Sequence, residues 1–164
     1  MKQALLAAAV VTSFVVPSQR AVPDPCRLVT AAQVTSALGS APSGETPMGP
    51  SVDEETGATV SVCVSTVGKV KLSIAVAQFA TPDAAEKALT TMADQEAEDG
   101  ETAKMTEQPG LGQRAIWGAT PAGAIWVALK GRYLLNLTLA GELDDGARYR
   151  EPLKRLATLA LAKL

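Results

Sequence analysis

The chain of 164 residues contains no histidine, only two cysteines, and 4% aromatic residues. Each shortage removes a class of chemistry. Without histidine there is no Ser-His-Asp triad, no Cys-His dyad, no histidine metal site and no imidazole pH switch. Two cysteines are too few for a disulfide-rich scaffold or a zinc knuckle. Scattered basic residues, with no basic stripe interleaved with aromatics, leave nothing suited to nucleic acid. What is present, 47% hydrophobic and 20% charged residues with 13 Gly and 10 Pro, fits one ordinary globular domain.

The longest apolar run is Ala4 to Val16, 13 residues behind Lys2 and ended by Pro17. It falls short of the ~20 residues a membrane span needs and matches the central region of an export signal. Small residues Val16 and Ser18 favour a cut after Ser18 over one after Ala21, and an uncleaved anchor is the alternative. The expectation is a signal peptide over 1–18, a flexible segment over 19–25 and a single exported domain over 26–164, secreted or periplasmic, with no stable membrane span after cleavage. Removing Lys2 leaves 14 basic against 17 acidic residues, a formal charge of −3. The acidic run Asp94 to Glu101 lacks the spaced ligands of a calcium loop and reads as a solvated helix end.

In an oxidising compartment Cys26 and Cys63 are read as one disulfide, with a free buried thiol or lipid attachment at Cys26 as alternatives. Pro23-Asp24-Pro25 is not a lipobox. No base stands ready to make either cysteine a nucleophile.

Thr30-Ala31-Ala32-Gln33 is a capping box opening a helix over 31–38, closed by Gly39. Residues 40–57 read as an extended loop with at most one short edge strand. Segments 58–66 and 70–79 alternate around a three-residue loop, Val67-Gly68-Lys69, which would pair Val62 with Ile74 and leave Ser61, Cys63 and Ser65 on the far face. Thr81-Pro82 starts a second helix with the stripe Ala85, Ala88, Leu89 and Met92. Strands follow near 113–119, 124–129 and 133–140. With three-residue loops, Gly123 left-handed in the first, one core face collects Trp117, Ile125, Val127, Leu129, Tyr133, Leu135, Leu137 and Leu139. A last helix carries Leu153, Leu156, Ala160 and Leu164, with Pro152 in its first turn.

Residues 68–77 and 131–140 match in turn, basic residue and alternation at an offset of 63, suggesting two β-β-α pseudo-repeats. The fold class expected is α+β, an antiparallel sheet packed by about three helices on one face.

Asp24-Pro25-Cys26-Arg27-Leu28-Val29-Thr30, Ala37-Leu38-Gly39, a second Cys in a strand, Gly110-Leu111-Gly112-Gln113-Arg114-Ala115-Ile116-Trp117 and Lys130-Gly131 together resemble a family of small bacterial exported proteins and lipoproteins of unknown function. Gln33, Ser65 and Gln113 depart from its pattern, which usually has Glu, an aromatic and Asp there. The resemblance implies an extracytoplasmic α+β domain without an established activity. The chain is similar, more distantly, to sensor-type ectodomains and to inhibitor proteins built from helix-plus-sheet units.

No catalytic or metal-binding residues and no cofactor are expected. Glu54-Glu55 and Asp144-Asp145 read as loop acids rather than an acid/base pair. The function expected is a non-catalytic binding or interaction module for an extracytoplasmic protein or a small ligand. An inhibitor of a secreted enzyme and, less favoured, a carboxylate-based enzyme are the alternatives. The candidate surface is Trp126 with Ile116, Leu134 and Asn136, on the face opposite Trp117 if the loop at Pro121 has three residues. A covering loop, or a two-residue turn pairing Trp117 with Trp126, would instead bury it.

Overall fold

The computed structural model describes residues 21–94 and 104–164. The signal peptide read at 1–18 and the acidic run beyond Asp94 lie outside them. The elements run α1 (Ala31–Leu38), β1 (Pro42–Val52), β2 (Thr59–Val67), β3 (Val70–Gln78), α2 (Pro82–Asp94), β4 (Thr106–Glu107), β5 (Arg114–Thr120), β6 (Gly123–Lys130), β7 (Tyr133–Ala140) and α3 (Arg150–Leu161). The strands form one antiparallel sheet in the order β1-β2-β3-β7-β6-β5-β4.

Local chemistry sets the helix starts. Thr30 Oγ1 accepts from the Gln33 amide at 3.2 Å while Gln33 Oε1 accepts from the Thr30 amide at 2.8 Å, so two orphan donors are satisfied reciprocally. Thr81 Oγ1 accepts from the Ala84 amide at 3.2 Å, with Pro82 in the first turn of α2. Pro152 lies in the first turn of α3, where no intrahelical amide bond is lost. Ahead of α1, Pro25 is buried in a short 3-10 turn and Val22 touches the core. Residues 42–52 form an eleven-residue edge strand rather than the expected loop, with two irregularities in its pairing to β2. Its prolines and glycines are tolerated there because an edge strand needs only one row of ladder bonds.

The hairpin turns are one residue shorter than expected. Gly68-Lys69 and Gly131-Arg132 are two-residue turns pairing Val67 with Val70 and Lys130 with Tyr133. The glycines take φ of 61° and 56° at the first central position, the demand of a type II′ turn, whose twist suits a hairpin. Pro121-Ala122 is likewise a two-residue turn, and Gly123 is an ordinary strand residue there. A Cβ on Gly123 would come within 2.8 Å of the Leu139 carbonyl oxygen.

A one-residue change of register moves every side chain to the other face. Cys63 therefore pairs with Ile74, Ser65 with Leu72 and Ser61 with Val76, and all six are buried together. Val60, Val62 and Val64, expected in the core, are only half-buried on the other face. The Cys26–Cys63 disulfide ties the N-terminal segment over the Cys63 face, with an S–S distance of 2.09 Å and Cα atoms 5.1 Å apart.

Helices cover both faces, not one. Against α1 and α3 lie Leu72, Ile74, Val76, Trp117, Trp126, Leu135, Leu137 and Leu139. Against α2 lie Ile116, Val127, Leu129 and Leu134 with Ala85 and Leu89, and Ile125 is half-buried beside them. Ile125, Val127 and Leu129 are thus on the face opposite Trp117 and Leu137. The helix layer on the α2 side also explains why Leu134 is 2% exposed, hardly more than Leu135 at 0%.

Candidate functional site

Three of the four residues singled out from the sequence are interior. Trp126 is 1% exposed, Ile116 0% and Leu134 2%, while Asn136 is half-buried and its side-chain oxygen accepts from Thr138 Oγ1 at 2.8 Å. The two-residue turn places Trp126 opposite Trp117, with ring centroids 5.4 Å apart and planes tilted by 44°. The Trp126 indole Nε1 donates to the Arg150 carbonyl oxygen at 2.9 Å, so α3 both covers the ring and satisfies its polar atom. The four do not even share a face: Trp126 belongs to the α1/α3 side, whereas Ile116 and Leu134 pack under α2. An aromatic partner surface at Trp126 is ruled out by this burial.

The structure opens a different place. Helix α2 packs on β6 and β7. On one flank, Arg114 of β5 grips it: Nη1 donates to Thr90 Oγ1 at 2.9 Å and Glu86 Oε1 at 3.5 Å, and Nη2 bonds Glu107. Those carboxylates, the Glu107 bond foremost, hold the guanidinium above its ordinary pKa. This flank of the helix is thus tied to β5. On its other flank Ala84, Lys87, Ala88, Thr91 and Met92 form one stripe at helical spacing.

That stripe faces Phe79 and the turn between β1 and β2, represented by Glu55 and Thr56, across a cavity of about 480 Å³. Phe79 is buried and Met92 is 37% exposed. Val60 and Ala77, half-buried, pack against the apolar cluster to which Phe79 belongs. Sequence reasoning assigned Ala88 and Met92 to the core stripe, since a helical wheel does not say how far a helix is displaced on its sheet. Their alternation with Lys87 and Thr91 was the available signal.

The opposite wall is a hydrogen-bonded turn. Asp53 Oδ1 accepts from the Thr56 amide at 2.8 Å and from Thr56 Oγ1 at 2.6 Å, while the Asp53 amide donates to the Ala58 carbonyl oxygen at 2.8 Å. The Thr56 side-chain bond, then its backbone bond, holds the Asp53 carboxyl below its ordinary pKa of 3.8. A carboxylate lowered on folding stabilises the folded state above its unfolded pKa and loses that contribution as pH falls through the folded value. Asp53→Asn should therefore be less stable than the parent at neutral pH, with the gap closing in strong acid. Urea melts across pH check the sign, and a gap that is independent of pH would contradict it.

A second cavity, also about 480 Å³, lies between the end of α1, the β2–β3 turn and the connection from β7 to α3. On its rim Arg148 Nη2 donates to Tyr149 Oη at 2.7 Å, and the Arg148 guanidinium stacks 4.8 Å from that ring and stands 3.8 Å from Asp144. Among the described residues no three His, Cys, Asp or Glu side chains converge as metal ligands.

No family model matches the sequence, and no curated protein does. Among solved structures, the extracellular domain of PknH from Mycobacterium tuberculosis is similar at a TM-score of 0.54. The likeness is one of fold. It holds over 83% of this chain and 93% of that one at 13% identity. An uncharacterised protein from Mycobacterium smegmatis, an Rv0999 ortholog, aligns over 85% of this chain and 98% of its own at 13% identity and a TM-score of 0.41.

Proposed function

We propose that this protein is an exported, non-catalytic binding domain whose binding site is the cavity between α2 and the β1–β2 turn. The observation that carries the reading is the cavity itself: Arg114 bonds one flank of α2, and beside the other flank Phe79, Ala84, Ala88 and Met92 line a space of ligand-binding size. An extracytoplasmic location is supported by the Cys26–Cys63 disulfide, by the export-type run at 4–16, and by fold likeness to an extracellular domain. Among the described residues, no helix is long and apolar enough to cross a membrane. The resemblance to small bacterial exported proteins of unknown function belongs to the same reading.

Internal duplication also belongs to it. The 63-residue offset lays β2–β3 on β6–β7, and the register places Ile74 directly opposite its own counterpart, Leu137, across the β3–β7 seam. The helices depart from that symmetry, because α2 and α3 follow equivalent hairpins yet cover opposite faces. The inhibitor alternative called for an exposed rigid aromatic, whereas the exposed large apolar residues among those described are Met48, Val52 and Met92.

The test is native mass spectrometry of the protein produced from residue 19 onward, after incubation with a small-molecule extract of the extracytoplasmic fraction. The expected result is a non-covalent adduct on the parent that is absent from Ala88→Trp, in which the new indole fills the cavity. No adduct, or one that Ala88→Trp retains, overturns the reading.

A further inference from the structure

We infer that β1 is a guarded edge: its prolines close the open side of the sheet to a further strand, whether from a second copy of this chain or from an extended peptide. The need for a guard comes from exposure. β1 is eleven residues long, every residue after Pro42 is exposed, and among the described residues no strand pairs with its outer side. Glu45 is the only charge along it. A long, nearly uncharged edge strand invites edge-to-edge association unless something blocks the ladder.

The register places the blocking residues. Gly68-Lys69 is a two-residue turn, so Val67 and Val70 exchange hydrogen bonds and the backbone groups of β2 alternate in direction from there. Val67, Ser65 and Cys63 direct theirs to β3, whereas Thr66, Val64, Val62 and Val60 direct theirs to β1. Their partners Ser43, Thr46, Met48 and Ser51 therefore bond inward. Pro42 and Pro47, opposite Val67 and Cys63, stand at outward positions, and Pro50 lies in the irregularity between Met48 and Ser51. At the end of the strand the Asp53 amide donates inward to the Ala58 carbonyl oxygen at 2.8 Å, which fits the same alternation and leaves Val52 outward. Pro42 and Pro47 thus cost the β1–β2 ladder nothing and remove donors that an added strand would need. A proline at any of the four inward positions would break that ladder, and none is there. The far edge is closed by length instead: β4 has only Thr106 and Glu107, whose side chains bond the Trp117 carbonyl oxygen and Arg114. With both edges closed, partners of this domain dock on its faces and loops and not by strand addition.

Sedimentation velocity on the protein produced from residue 19 onward, between about 5 and about 500 μM to span weak association, compares the parent with Pro42→Thr/Pro47→Thr. Each restored outward amide counts twice across a two-fold axis and a net hydrogen bond is worth about fivefold, so the double variant should associate more tightly on the order of several hundredfold. Pro47→Thr alone, the milder change, should gain about 25-fold by the same count. Amide exchange locates the contact: the Val52 amide should slow with concentration in the variants and stay fast in the parent. Met48→Pro tests the register, since it removes an inward amide and should lower the melting temperature, whereas Pro47→Thr should leave it nearly unchanged. Thermal melts of each variant verify the fold. Folded variants that stay monomeric across the range, a parent whose Val52 amide becomes protected with concentration, or a Met48→Pro melt equal to that of the parent overturns the guard. The extract adduct on the cavity beside α2 is a separate measurement and stands or falls without it.

Discussion

Trp126→Ala is expected to lower the unfolding free energy by about 3 to 5 kcal/mol, the range for deleting a buried tryptophan. Two losses combine. The ring is 1% exposed and leans on Trp117, so its removal leaves a cavity under α3 that the neighbours cannot fully close. The Arg150 carbonyl oxygen also loses the indole donor, at the first residue of α3. Trp126→Phe separates the two, since it keeps most of the ring volume and removes the hydrogen bond, and should cost less than Trp126→Ala. Because α2 and its cavity lie on the other face of the sheet, ligand binding measured on folded protein should survive Trp126→Phe. Urea melts and iodide quenching of the two single-Trp variants provide the check. Quenching of Trp126 as ready as that of a free indole would contradict the burial and restore the surface role its sequence position first suggested.

The second large effect concerns the disulfide. Cys26 and Cys63, 37 residues apart, close a loop whose cross-link removes denatured-state entropy. The double Cys→Ser variant should lose about 2 to 5 kcal/mol. The loss is structural as well as entropic, because the bridge anchors the segment around Pro25 and the start of α1 over the Cys63 face of β2. Intact mass before and after alkylation, with and without reductant, establishes the bridge, and melts of the double variant measure its effect. Two free thiols in exported protein, or an unchanged melt, would refute the prediction. The extract adduct should persist on the folded fraction of the variant, since the cavity is lined from α2, Phe79 and the β1–β2 turn.

Much of the architecture is written in short-range chemistry. The capping box at Thr30–Gln33, the Thr81-Pro82 start and the strand-length alternations each specify something that neighbours within a few residues can enforce, and the two cysteines leave only one intramolecular pairing. The elements appear where those signals are, and α1 spans the residues its caps dictate. The edge strand β1 was harder to see. Its prolines and glycines read as loop, and it is a strand only because β2 offers a partner ladder, a fact no local propensity contains.

Which side of each hairpin faces the core was not a local matter. In β2 both alternating sets are compatible with burial: three valines on one, and Ser61, Cys63, Ser65 and Val67 on the other. Hydrophobicity favours the valines, but the two-residue turn at Gly68-Lys69 and the bridge to Cys26 decide for the second set. The same one-residue difference at Pro121 turned Trp126 from a candidate surface into the partner of Trp117. By itself, then, the sequence determined the elements other than β1 and the short β4, the helix caps, the disulfide and the α+β class, because each depends on contacts within a turn or on a single pair of residues. The faces of the hairpins, the crossing of α2 to the opposite side and the cavity left beside it were decided only by the tertiary structure. The hairpin faces depend on register, where one residue more or less in a turn exchanges the two sides, and α2 is tied to β5 by the Arg114–Thr90 bond across 24 positions.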